Sequence, residues 1–205
     1  MGTAAVQATL FGRAEPRIDP SLAGLRRIAL AGGAWVDHLP GWLDGHEVVF
    51  EALRGSMRWQ HHRRHMYDRV VDVPRLVASV PEDGPGHPVL LDAAAALSAR
   101  YGLRLHHISL AYYRDGRDSV AFHGDRLGPL SADTVVAILS VGAPRRFLLR
   151  PKGGGRSLTF DLGWGDLVVM GGTCQRSWEH GVPKVSEAAP RISIQFRPAA
   201  ETRVA

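Results

Sequence analysis

Apolar positions along this 205-residue chain recur with two different periods, and the change falls near residue 102. Over residues 41–54, Leu43, Val48 or Val49, Phe50 and Leu53 stand near helical spacing between Pro40 and Gly55, which predicts an amphipathic helix. A turn-rich break over residues 81–88 follows. Residues 89–100 are then rich in alanine and leucine and stop before Gly102, predicting a second helix closed by glycine at its C-terminal end. Beyond that point the period is two. Strands are predicted at 105–113, 119–123, 134–140, 146–150, 157–160, 166–170, 173–180 and 191–197, parted by Gly, Pro and Asp turns. Short strands following two helices describe a mostly β fold with flanking helices, a jelly roll carrying its helices outside one sheet.

The last predicted strand alternates cleanly. Arg191, Ser193, Gln195 and Arg197 share one face, and Ile192, Ile194 and Phe196 share the other. If the barrel interior is polar, the arginines point inward and the apolar face packs under the helices.

Length and a 45% hydrophobic content support one well-buried domain rather than two. The expected organisation is an arm over residues 1–20 and a single domain over 21–205. Within it, 21–102 forms a helical and basic lid region and 103–198 the jelly-roll core. One cysteine, Cys174, excludes an internal disulfide and a Cys-based zinc site, and reads as a small core residue. No run approaches the ~20 apolar residues of a membrane span, so a cytoplasmic monomer without membrane attachment is expected. The net charge is +5, and its positive part is nearly all arginine, Lys152 and Lys184 being the only lysines. Arginine's planar fork suits phosphates and carboxylates. Residues 54–75 hold six arginines against two aspartates, with Trp59 and Tyr67 interleaved. Phosphate pairing and base stacking need those two residue types together, although a solvated surface would show the same arginines.

The candidate chemistry lies in His123-Gly-Asp125 and in His180, 55 residues further on. In an extended segment, residues two apart point the same way, so His123 and Asp125 can share an ion that His180 completes. Two neutral imidazoles and one carboxylate occupy one face of an octahedral Fe(II) and leave the opposite positions open. The competing reading makes the histidines hydrogen-bonded barrel residues and Asp125 a turn residue. For Arg191 and Arg197 it makes them guards of an exposed sheet edge.

From Leu110 to Arg197 the chain resembles the AlkB-like branch of the Fe(II)- and 2-oxoglutarate-dependent dioxygenases. The resemblance rests on Tyr113-Arg-Asp-Gly116, His123-x-Asp125, Ile138-Leu-Ser-Val-Gly142, Gly165-Asp-Leu-Val-Val-Met-Gly171, Trp178-x-His-x-Val-Pro183 and Arg191-x5-Arg197, in the family's order. The first half matches through Trp59 and Val73-Pro74-Arg75. The resemblance implies a double-stranded β-helix holding Fe(II) through His123, Asp125 and His180. It implies that Arg191 and Tyr113 pair with the distal carboxylate of 2-oxoglutarate, with Arg197 close to co-substrate and metal. Oxygen would then convert the co-substrate to succinate and CO2, and a hydroxylated N-methyl group on alkylated DNA or RNA would leave as formaldehyde.

Several positions depart from the family's repair members. Ala111 and Ser193 stand where asparagines flank the co-substrate site, so the co-substrate grip is expected to be weaker or differently organised, with Ser193 among the residues of that site. Leu127 replaces an acidic residue that faces the damaged base, and no aromatic pair follows Arg75. The substrate residues implied are therefore Trp59, Arg63, Arg64, Tyr67, Arg75 and Leu127. Two other readings of the same residues stay open: an oxygenase acting on protein or a small metabolite, and a jelly roll that binds nucleic acid without turnover.

Overall fold

The computed structural model describes residues 15–66, 69–81, 86–125 and 134–198, apart from the side chains of 62–66 and 69–72. Residues 1–14 of the expected arm and 82–85 of the turn-rich break lie outside that description.

In chain order, β1 (Arg17–Ile18), β2 (Arg26–Ala29), β3 (Ala34–Leu39) and β4 (Leu43–Asp44) precede helix α1 (His46–Ser56). Next come β5 (Gln60–Met66), β6 (Arg69–Ser79) and helix α2 (Val89–Tyr101). Strands β7 (His107–Tyr113), β8 (Val120–His123), β9 (Val136–Gly142), β10 (Arg145–Pro151), β11 (Leu158–Leu162) and β12 (Asp166–Gly172) follow, then a single helical turn α3 (Cys174–Ser177). The described chain closes with β13 (Trp178–Val182) and β14 (Arg191–Arg197).

Among the described residues all strand pairings are antiparallel. An eight-stranded sheet runs β2-β3-β12-β9-β14-β7-β6-β5, and a four-stranded sheet runs β11-β10-β13-β8. The large sheet is covered on both faces. On one side Val49, Phe50 and Leu53 of α1 and Leu90, Ala93 and Leu97 of α2 pack on Ile108, Leu110, Leu139, Leu167, Ile192, Ile194 and Phe196. On the other, Val36, Ile138, Val168 and Met170 meet Phe147, Leu149, Phe160 and Leu162 of the small sheet. Burial on both faces explains why β9 and β12 read as unbroken apolar runs instead of alternating ones. Strand β14 alternates in residue type, because one of its faces looks into a polar cavity.

The helices fall close to where periodicity puts them, and α2 ends on Gly102, whose φ of 66° is the left-handed conformation that closes a helix. The segment 191–197 is a strand over its full predicted length. Two differences stand out. The predicted strand 173–180 opens with the helical turn α3, and pairing starts only at Trp178. The region 21–102, read as helical, also contributes the strands β2 to β6. The hairpin β5–β6 escaped notice because β5 has almost no apolar residue and β6 contains Pro74, which ordinarily argues against a strand. Pro74 is accommodated because the β5–β6 register shifts between His61 and Arg63, so residues 73–75 fall in a bulge without ladder partners where a missing N–H breaks no pairing; its carbonyl accepts the Ser119 amide at 2.7 Å. The C-terminal end of the expected arm joins the fold: β1 pairs with β4, and the Trp42 indole donates to the Asp19 carbonyl at 2.8 Å.

Because Leu97 is fully buried between α2 and the large sheet, Leu97→Ala is expected to cost about 2–5 kcal/mol. Urea unfolding checks this, and an unchanged midpoint would mean that α2 does not hold the sheet.

Candidate active site

Strands β8 and β13 are neighbours, and their register sets His123 opposite His180 with ring centres 4.4 Å apart. The His123 Nδ1 lies 2.9 Å from the Ala121 carbonyl. A carbonyl only accepts, so Nδ1 carries the proton and Nε2 keeps its lone pair free for a metal. One oxygen of Asp125, Oδ1, lies 3.7 Å from His123 Nε2 and 3.9 Å from His180 Nε2. The three ligand atoms all fall within 4.8 Å of one another.

Strand alternation is not what aims Asp125. Strand β8 stops at His123, and Asp125 is fixed from outside its own segment. Its amide donates to Gln175 Oε1 at 2.9 Å, and Arg197 donates from Nε at 3.1 Å and Nη2 at 3.0 Å, both to Oδ2. Arg197 is itself held, its Nη1 donating to Ser109 Oγ at 2.6 Å and Ser109 to Gln195 Oε1 at 3.1 Å. With Oδ2 engaged, Oδ1 turns toward the imidazoles. Gly124 is needed between the two ligands, because a Cβ there would sit 2.5 Å from the Gln175 carbonyl oxygen.

Protonation suits ligation. Burial would raise the Asp125 carboxyl, but Arg197 and the two imidazoles outweigh it and hold the group below the ordinary carboxylate range. Burial pushes His180 down to about 3, so it is neutral. Phe147 stacks on its ring at 5.3 Å between centroids.

Tyr113 of β7 lies opposite Arg191 of β14. Arg191 is only 1% exposed, and burial lowers its guanidinium to about 10. Its Nη2 donates to Ser140 Oγ at 2.6 Å, while Nε and Nη1 are buried with no partner. A buried cation with two unused donors is costly unless an anion enters beside it. These groups open onto a cavity of about 480 Å³ that His123, Asp125, His180, Tyr113, Ser193 and Arg197 also line. The donor set fits an open-sided Fe(II), and the orphaned Arg191 donors fit one carboxylate of a dicarboxylic co-substrate.

The structure thus brings together the residues read as metal-binding and co-substrate-binding, together with Arg75, which lines the same cavity. Trp59 does not join them. It packs on Tyr112 at 5.1 Å, on the helix side of the large sheet, with its indole donating to the Arg54 carbonyl, so its reading as a substrate residue is corrected. Just before β5 it turns into the hydrophobic layer, while its neighbours Arg58 and Gln60 line the cavity. Tyr67 and Leu127 lie outside the described residues, as do the side chains of Arg63 and Arg64.

Sequence reasoning missed Arg58 and Gln60 in the cavity wall, and the supporting roles of Ser109, Ser140 and Gln175. Ser140 left a signal, being the one hydroxyl in the apolar run of β9. Gln175 left none, since it sits on the helical turn hidden in an apparent strand. Arg145 was also missed: buried, it donates to the carbonyls of Asp115 at 2.9 Å, Asp118 at 2.9 Å and Pro183 at 2.8 Å, tying together the loops that follow β7 and β13.

A jelly roll with a His-Asp-His group beside an unpaired buried arginine is the architecture of an iron-dependent oxygenase. The family model of the 2OG-Fe(II) oxygenase superfamily matches residues 44–197. The chain is 30% identical over 204 residues to alpha-ketoglutarate-dependent dioxygenase alkB homolog 3 of Bos taurus, spanning 88% of this chain and 68% of that protein. The Homo sapiens counterpart is 29% identical over 209 residues, 89% of this chain and 73% of that one. DNA oxidative demethylase ALKBH2 of Bos taurus is 29% identical over 122 residues, 55% of this chain and 44% of that protein. Among solved structures, OsALKBH1 superposes with a TM-score of 0.58 at 15% identity, over 84% of this chain and 100% of that one, which speaks to the fold. The chain therefore belongs to the 2OG-Fe(II) oxygenase superfamily, in its AlkB-like branch, and is an oxidoreductase that uses Fe(II), 2-oxoglutarate and O2.

Acid should destabilise the metal-free protein. His180 titrates at about 3 when folded and ordinarily at 6.5, so between those values the unfolded chain binds the extra proton. Stability is full above the upper value and falls as pH drops through the window, at up to about 1.4 kcal/mol per pH unit. Urea midpoints measured across this range should show a shallower fall in His180→Leu; equal slopes in the two proteins would contradict the assignment.

Proposed function

We propose that this oxygenase removes N-linked methyl groups from alkylated nucleobases in DNA or RNA. The observation that carries the reading is one cavity holding both the His-Asp-His group and the unpaired Arg191 donors, with Arg58 and Arg75 in its wall. Its volume lies in the range of small-molecule sites, roughly 300–1,000 Å³, and a flipped base is a ligand of that kind. The relatives named as a DNA oxidative demethylase support the substrate class.

In this reading His123 Nε2, His180 Nε2 and Asp125 Oδ1 hold the metal, and Arg197 keeps the carboxylate turned toward it. Arg191, steadied by Ser140 and facing Tyr113, receives the distal carboxylate of 2-oxoglutarate, and Ser193 lies along the same wall. Iron and co-substrate, when bound, couple decarboxylation of 2-oxoglutarate to hydroxylation of a substrate C–H bond. The hydroxymethyl product on nitrogen then releases formaldehyde. Phe147, Val182 and Ile138 supply apolar wall that keeps water from the reacting carbon.

Succinate formation with Fe(II), ascorbate and a panel of methylated oligonucleotides tests the substrate class. Stimulation by at least one of them is expected; stimulation by a protein or metabolite alone would overturn the reading. Arg191→Met is expected to raise the KM for 2-oxoglutarate about ten- to a hundredfold while leaving oligonucleotide affinity near that of the parent. Equal losses in both would show that this arginine serves the nucleic acid instead.

A further inference from the structure

One buried cation stands beside the Tyr113–Arg191 end of the cavity without lining it. Arg145 is 3% exposed, and its hydrogen bonds all go to backbone carbonyls, those of Asp115, Asp118 and Pro183. Its Nε has no partner. A carbonyl oxygen satisfies an N–H but leaves the positive charge in place. The two acids that act on Arg145 electrostatically are Asp118 and Asp115, and each is engaged by an arginine of its own. Asp118 accepts from Arg114 at 2.8 and 2.9 Å, and Asp115 accepts from Arg117 at 3.2 and 2.8 Å. Arg145 therefore keeps much of its charge in a place where water does not screen it.

That charge is held close to the co-substrate site. The Arg145 Cζ lies 5.7 Å from the centre of the Tyr113 ring, and the Arg191 Cζ lies 5.4 Å from the same ring, both within reach of a cation–π contact. Strand pairing fixes the arrangement. Arg145 opens β10 opposite Leu162 of β11, and Tyr113 ends β7 opposite Arg191 of β14. Burial is the main cause that lowers the Arg191 guanidinium, and the charge of Arg145 adds to it, with Tyr113 and Asp166 acting the other way. Two buried cations that share one aromatic neighbour repel each other, and an anion entering beside either relieves both. At an effective dielectric of about 20, a unit charge about 10 Å away changes the affinity for an anion by roughly tenfold.

We propose that Arg145 is a positioning residue for the co-substrate: without touching 2-oxoglutarate, its fixed charge beside Tyr113 strengthens the capture of the distal carboxylate by Arg191. The inference rests on Arg191 receiving that carboxylate. Arg145 then has two separable duties, tying the loops after β7 and β13 through its donors and favouring the anion through its charge.

Calorimetric titration of 2-oxoglutarate into the Mn(II)-loaded protein, kept anaerobic, reads the second duty without turnover. Arg145→Gln removes the charge and is expected to raise the Kd for 2-oxoglutarate about tenfold, while the Kd for Mn(II) alone stays within about twofold of the parent. Arg145→Lys keeps the charge, and its ammonium donors can serve the same carbonyls. Its Kd for 2-oxoglutarate should therefore stay within about threefold of the parent even where the melting temperature falls. A purely structural tie predicts another pattern, in which both variants melt earlier and the affinity for 2-oxoglutarate changes in neither or falls equally in both; either result overturns the proposal. Should Arg145→Gln fail to fold, Asp118→Asn decides the matter. It removes a negative charge from the same surroundings and keeps an oxygen for the Arg114 amide, so 2-oxoglutarate should bind about threefold tighter. Unchanged or weaker binding in that folded variant would count against the charge of Arg145. Arg191→Met tests the underlying reading by itself: an unchanged Kd there places the carboxylate elsewhere, which is a different result from an inert Arg145.

Discussion

The pairing of Arg197 with one oxygen of Asp125 is the contact on which the site turns. It joins the end of β14 to a coil beyond β8, segments 72 residues apart in sequence, and it divides the carboxylate into an oxygen that is held and one that is offered. Charge-assisted hydrogen bonds are short and directional in a partly dry environment, so one such fork orients a ligand that its own backbone leaves free. The Ser109 and Gln195 bonds behind it fix the fork in turn. The guanidinium also keeps the carboxyl ionised despite burial, so one residue supplies both the geometry and the protonation state that a metal requires.

Such a cluster of buried charge is unfavourable by itself, and the layers around it offset the cost. The eight-stranded sheet is packed with aliphatic side chains on both faces, with two helices on one side and the small sheet on the other. The cavity opens at the end of the inter-sheet layer where the apolar lining gives way to Tyr113, Arg191 and the histidines. Arg145 performs the same service for the loops that Arg197 performs for the ligand: a buried cation whose donors collect three backbone carbonyls. Arg145 and Arg197 thus spend most of their donors on the fold, Arg145 leaving only its Nε without a partner, whereas Arg75 and Arg191 each keep both Nε and Nη1 open.

Much of the core and the metal site was legible in the residues themselves. The alternation of 191–197 identified both the face that lines the cavity and the face that packs under the helices, because a strand buried on one polar and one apolar side has to alternate. Gly102 announced the end of α2, since few other residues adopt its backbone angles. The hairpin β5–β6 was hidden because its strands lie at one end of the large sheet, where charge is tolerated and even useful. Burial periodicity therefore leaves no trace there, and nothing local showed that Trp59, one residue before β5, packs with the helix-side layer instead of lining the cavity. The helical turn Cys174–Ser177 escaped for a different reason: four residues are too few to display a period, and that turn supplies Gln175, which positions Asp125.

Residue type and order determined the chemistry available to this chain: two imidazoles, a carboxylate, and arginines that alternate along the last strand. The protonation each group adopts, which carboxylate oxygen is free, and which arginines remain unpaired were decided by the tertiary structure. The physical reason is that local pattern records the period of an element and the chemistry of a side chain. Pairing and desolvation depend instead on partners tens of residues away, which become neighbours only when both sheets and the helices have closed around them.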